Sequence, residues 1–162
     1  MSSTRITNGA ERAIIENMLD RNREALIATA RGLSEADARR RLVTSLTTPI
    51  SVIKHAAAAE RIWFQRFWAG LGEHECDGYS ARDVGTFAVT DDETLADVIA
   101  EFERASQRSR EIAARFDLDD VKHNPREGTV SMRWTLLSMI EEFARHAGHG
   151  DILREQLDVT AG

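Results

Sequence analysis

Glu142 and His146 stand four residues apart in a segment whose stripe at three- and four-residue steps reads Met139, Glu142, His146, His149, Leu153 and Leu157. In a helix of about 3.6 residues per turn the two polar groups lie one turn apart on the same side, so an imidazole nitrogen and a carboxylate oxygen can converge on one point. A charged Glu facing a core is costly unless it is paired or ligated. A third candidate, His55, shares a stripe with Val52, Ala59 and Ile62, and Ala56 to Ala59 are small enough to let a neighbouring helix approach closely. His55, Glu142 and His146 together would form a two-histidine, one-carboxylate set, which suits zinc with an open fourth position and also serves other divalent metals. His149 reads either as a surface residue at the edge of the stripe or as a group that orients a ligand. The spacing also admits a plainer reading, in which Glu142 and His146 are an intrahelical pair and His55 is a hydrogen-bonded core histidine.

Other polar clusters carry less. Glu73-His74-Glu75-Cys76-Asp77 mixes ligand types but lacks the paired cysteines of a structural zinc site, and reads as a solvated loop. His123 beside Asn124-Pro125 is expected to be exposed, and Arg39-Arg40-Arg41 to be a solvated face. Trp63, Trp68 and Trp134 are expected in core and rim packing, with one available to line a pocket. No Gly-rich phosphate loop, no Gly-x-Ser-x-Gly elbow and no His-Glu-x-x-His helix is present.

The elements that must position these groups read as helices. Ile15, Met18, Leu19, Ala25, Leu26 and Ala30 mark a first helix over residues 10–31, closed by Gly32. Ser34-Glu-Ala-Asp37 opens a short connecting turn. Thr48-Pro49 starts a second helix, apolar nearly all round, that runs to Ala69 before Gly70 and Gly72. Residues 71–91, with Gly72, Gly78 and Gly85, read as a long crossover loop holding a short strand near Phe87-Ala-Val89. Thr90-Asp-Asp-Glu93 caps a third helix with Leu95, Val98, Ile99, Phe102, Ala105, Ile112 and Phe116 inward. Ser131 opens a fourth through Trp134, Leu137, Ile140, Phe143 and Ala147 to Leu157. The expectation is an all-α fold: a single domain over residues 1–162, a four-helix bundle with a long crossover between helices 2 and 3 and a site built from facing helices.

Composition sets the boundaries of function. The 162 residues, 42% hydrophobic and 30% charged, match ordinary globular usage. The 21 basic against 27 acidic residues leave a net charge of −6, which argues against a nucleic-acid partner, because backbone binding needs a basic face. No apolar run approaches the ~20 residues that cross a bilayer, so no membrane partner is expected. One cysteine, Cys76, makes no internal disulfide, and the first residues lack a secretory pattern. A cytoplasmic protein, monomeric or a homodimer through helix faces, is expected.

The run Pro49-Ile-Ser-Val-Ile-Lys-His55-Ala-Ala-Ala-Ala-Glu60-Arg-Ile-Trp-Phe64, with Arg133-Trp134 and Ile140-Glu-Glu142-Phe-Ala-Arg-His146-Ala-Gly-His149-Gly-Asp151-Ile-Leu-Arg-Glu155 downstream, resembles the DinB-like four-helix superfamily. It is most similar to an actinobacterial branch related to the mycothiol-dependent maleylpyruvate isomerases. The resemblance implies a metal site with one histidine from the second helix and an i, i+4 pair from the fourth, matching His55, Glu142 and His146. It also implies zinc or nickel as the metal, frequent dimers, and transfer or isomerisation of a small-molecule substrate with a low-molecular-weight thiol such as mycothiol. Two departures stand out: the isomerases carry a further C-terminal domain, and close relatives often place a histidine where this chain has Ser138. Two functions follow as expectations, a metal-dependent thiol transferase or isomerase, and a non-catalytic helical protein binding a ligand or partner with a structural metal or none.

Overall fold

The computed structural model describes residues 3–160. The chain is mostly helical: α1 (Glu11–Ala30), α2 (Glu35–Ala38), α3 (Pro49–Glu60), α4 (Leu95–Ala113) and α5 (Met132–Thr160). Thr48 caps α3 by accepting from the Ser51 amide at 3.2 Å, while Ser51 Oγ accepts from the Thr48 amide at 2.7 Å, and Pro49 takes the first helical position. Beyond Glu60 the helix does not end but widens into a π-helical segment, Arg61–Trp68, where the Ala69 amide reaches back five residues to the Phe64 carbonyl.

α1 lies along α5, and α3 with its π-helical continuation lies along α4; contacts of α3 with α5 and α1 join the two pairs. The shared core is apolar, with Leu19, Leu26, Ile53, Phe64, Phe102, Leu136 and Phe143 all nearly inaccessible, and the Phe102 and Phe143 rings meet edge to face at 5.4 Å. Ala56, Ala57 and Ala58 are buried, as the close-approach argument requires. Among the described residues, the charges buried in this interior are paired. Glu60, wholly buried, accepts from Arg23 at 2.6 and 3.0 Å and from the Ser106 hydroxyl at 3.2 Å. Arg61, beside it, donates to Asp77 at 2.5 Å and pairs with Glu101 at 2.7 Å, which ties the loop after the π-helical segment to α4.

Several expectations change. Met18, Ala25 and Leu137 are exposed; on α1 their places in the core are taken by Ile27 and the paired Arg23. The third helix begins at Leu95 with Thr94 as cap, because Thr94 accepts from the Asp97 amide, whereas Thr90 and Glu93 close a separate turn in front of it. No strand forms at residues 87–89: Val84–Phe87 is a 3-10 turn, since Asp83 accepts from the Gly85 amide and draws the chain tight. Arg39 is no free surface charge; it donates to the carbonyls of Thr90 and Glu93.

The fold also holds a small antiparallel sheet, which departs from a purely α expectation. β1 (Val121–Asn124) pairs with β2 (Gly128–Ser131), Val121 opposite Ser131 and Asn124 opposite Gly128. The Asn124 side chain accepts from the amides of Arg126 and Glu127, and Gly128 adopts φ of 78°, which together close the hairpin. Lys122 donates to the carbonyls of Phe67 and Trp68 at 3.0 and 2.9 Å, pinning the hairpin to the open end of the π-helical segment.

Candidate metal centre

The second turn of α3 carries His55 and the middle of α5 carries Glu142 and His146, and the packing brings all three together. His55 Nε2 lies 2.9 Å and His146 Nε2 3.0 Å from the same oxygen, Oε1 of Glu142. One ligand atom from each residue falls within 4.8 Å of the others. The groups are partly buried, and the ring nitrogens aim inward. The close approach of His146 and then of His55 to its oxygen holds the Glu142 carboxyl far below the usual carboxylate range, against burial, which pushes it up.

The surroundings fix the orientation of His55. Its Nδ1 stands 2.9 Å from the Thr86 hydroxyl oxygen, and Thr86 donates to the Asp83 carbonyl at 3.1 Å. With its single proton committed to that carbonyl, Thr86 offers His55 a lone pair, so Nδ1 must carry the hydrogen. A neutral His55 then turns the lone pair of Nε2 toward the Glu142 carboxylate, an arrangement that is repulsive unless a cation or an added proton lies between them. Phe87 stacks on the other side of the ring at 4.2 Å and 8°, and His146 meets it edge-on at 4.7 Å.

This donor set fits a divalent metal. Two imidazoles and a carboxylate suit zinc, and a tetrahedral site with ~2.0–2.1 Å bonds spaces its ligand atoms ~3.3 Å apart, so the two nitrogen approaches to Oε1 need open by only a few tenths of an ångström. Nδ1 of His146 is buried without a hydrogen-bond partner. His149, a candidate for orienting a ligand, is exposed and packs its ring edge-on at 5.4 Å from His146 without bonding it. The orienting group that the sequence reading missed is Thr86. Its only signal was the Asp83-x-Gly85 turn, which reads as local loop chemistry until the loop is seen lying on α3.

A cavity of about 480 Å³ reaches the triad from outside, lined by His55, Glu142, Trp63, Arg82, Phe87 and Ser138 among others. Its size is that of a small-molecule site. Trp63 lines this cavity, whereas Trp68 is buried with its indole N–H donating to Thr135 at 3.0 Å and Trp134 sits at the surface. His74 and His123 are exposed and stand apart from the triad, as expected, and Cys76 is half-buried in its loop.

The family model for Mycothiol-S-transferase matches residues 14–159, which takes in most of α1, nearly all of α5, everything between them and every member of the triad. The chain belongs to the mycothiol S-transferase family. That family is DinB-like and related to mycothiol-dependent enzymes, in line with the resemblance carried by the α3 and α5 segments. No match to a curated protein was found. Among the described residues, no helix is long and apolar enough to cross a membrane.

Proposed function

We propose that the protein is a metal-dependent thiol S-transferase, built as a single-domain four-helix bundle, in which His55, Glu142 and His146 hold one divalent cation. Zinc is the metal the donor set favours, with nickel as the alternative, and mycothiol is the low-molecular-weight thiol in keeping with the family. The observation that carries the reading is the approach of two imidazole nitrogens to one carboxylate oxygen, with the His55 tautomer fixed so that Nε2 presents a lone pair. The chemistry such a cation supplies is Lewis acidity, which makes a nearby thiol acidic enough to be present as its anion near neutral pH.

The chain's own residues do the rest. Thr86 orients His55, Phe87 covers one face of its ring, and the cavity admits a small molecule to the open side of Glu142. In the reaction class proposed, the thiol sulfur forms a bond to an electrophilic carbon, and the leaving group departs with the electrons of the bond that breaks. The open cavity favours chemistry over a purely structural metal, which would need no access. A reducing, cytoplasmic setting is part of this reading, since the thiol must stay reduced.

The test is metal content of the purified protein, wild type against His55→Ala and His146→Ala, followed by thiol-conjugation assays with the zinc-loaded protein. Near-stoichiometric metal in the wild type, its loss in both variants, and adduct formation by the loaded wild type alone are expected. Equal metal content in all three proteins would remove the triad as the ligand set.

A further inference from the structure

The cavity beside the triad has a second chemical feature at its outer wall. Arg82, from the crossover, and Arg126, from the tip of the β-hairpin, both line it, and the Arg82 guanidinium lies over the Trp63 ring at 4.7 Å from the ring centre. Among the described residues neither guanidinium has a carboxylate within ion-pair distance. Two carboxylates, Asp83 and Glu142, share the lining, and both are engaged: one oxygen of Asp83 accepts from the Tyr79 hydroxyl and from the Gly85 amide at 2.7 Å. Glu142 at the inner end is taken up by the two histidines. Burial, and after it the repulsion of Arg126, hold the Arg82 guanidinium below its usual pKa, with Glu127 offsetting this only in part.

Some other arginines that face a cleft are paired with carboxylates. A cleft of about 500 Å³ between α1 and α4 also contains Arg23 and Arg110, but both are bonded to Asp20, and Arg23 to Glu60 as well. Two guanidinium groups at one cavity that make no ion pair, beside carboxylates already engaged by other groups, form a receptor for an anion. Planar guanidinium forks match the two oxygens of a carboxylate, and the neighbouring Trp63, Ile62 and Phe87 offer apolar and aromatic surface to a carbon skeleton rather than to a bare inorganic ion.

We propose that this cavity binds a carboxylate-bearing small molecule, its carboxylate held by Arg82 and Arg126 and its carbon skeleton lying along Trp63 toward Glu142. That this molecule is the electrophile, rather than the thiol, rests on the transferase reading above. In that role its electrophilic carbon accepts the sulfur of the thiol: the C–S bond forms, and the carbon–halogen bond of a halide substrate breaks with both electrons leaving on the halide.

The binding test needs neither thiol nor turnover. Benzoate and benzamide are titrated calorimetrically into the full-length protein, with and without zinc, for wild type, Arg82→Gln, Arg126→Gln and Arg82→Lys. Benzoate is expected to bind more tightly than benzamide and to weaken roughly ten- to hundred-fold in each glutamine variant, the range for loss of a charged hydrogen bond. Arg82→Lys, which keeps the charge and loses the fork, falls between. Equal binding of benzoate and benzamide, inorganic phosphate competing as well as benzoate, or benzoate binding that ignores both arginines and vanishes with the metal would each overturn the proposal. In conjugation assays, 4-(bromomethyl)benzoate is expected to outperform its methyl ester, and that preference to vanish in the glutamine variants. A preference for the ester would overturn the electrophile assignment, whereas arginine-dependent benzoate binding with no adduct from either halide upholds the anion site and refutes the transferase reading alone.

Discussion

Replacing Thr86 with valine isolates the one contact that fixes the His55 tautomer. The side chain keeps its shape and loses only the hydroxyl, which stands 2.9 Å from Nδ1 and donates to the Asp83 carbonyl at 3.1 Å. With that partner gone, the imidazole is free to carry its proton on Nε2, and each such molecule has lost a ligand atom. Loss of an outer hydrogen-bond partner of a metal-binding histidine weakens metal affinity by about 10- to 100-fold, or roughly 1.4–2.7 kcal/mol. Because Thr86 is only 4% exposed, the metal-free protein also loses stability. Two modest hydrogen bonds at ~0.5–1.5 kcal/mol each set that loss at about 1–3 kcal/mol. Zinc affinity by chelator competition, with urea unfolding of the metal-free protein alongside, separates the two effects. Thr86→Ser retains the hydroxyl and is expected to bind zinc nearly as the wild type does. Wild-type zinc affinity in Thr86→Val, with binding abolished in His55→Ala, would refute the orienting role.

Removing the charge of the buried Glu60 in Glu60→Gln leaves Arg23 without its main partner, so a loss of about 3–5 kcal/mol in urea unfolding is expected. Asp20 supplies a pH signature remote from the triad. Burial raises its carboxyl pKa, but hydrogen bonds from Arg110 and Arg23 outweigh this and hold it below the usual aspartate range. Its contribution is therefore fully present above about pH 4 and fades as pH falls through the lower folded value, so Asp20→Asn and wild type should differ in stability at pH 7 and converge in acid; a constant difference would contradict this. Gly150→Ala places a Cβ 2.5 Å from the Thr29 hydroxyl oxygen, where α1 meets α5, and should cost about 1–3 kcal/mol, whereas Gly148→Ala meets nothing within 4 Å and should raise the melting temperature slightly. Thr29→Ala combined with Gly150→Ala is expected to recover much of the loss.

The helices were legible because their signals are local: Thr48-Pro49 starts α3, Gly32 follows α1, and three- and four-residue spacing marks the inner faces of α4 and α5. The triad was legible for the same reason, since titratable groups at Glu142, His146 and His55 interrupt otherwise apolar stripes. Less legible were features whose cause lies across space. Arg23 occupies a core position only because Glu60 of α3 waits opposite, and nothing in the α1 sequence announces that partner. The hairpin was hidden because its strands are four residues each and are held by Lys122 reaching the carbonyls at the end of the π-helical segment. The roles of Thr86, Arg82 and Arg126 depend on where the crossover and hairpin come to rest, which residue periodicity does not encode.

The split between helix-borne and loop-borne groups has an evolutionary reading. His55, Glu142 and His146 hang from the helices, while Arg82 rides on the long crossover and Arg126 on the turn of the hairpin, both lining the cavity. Exchange of a few residues in either connection can therefore recut what the protein recognises while its reactive centre stays intact. Such a scaffold diversifies by changing its lock plate and keeping its bolt.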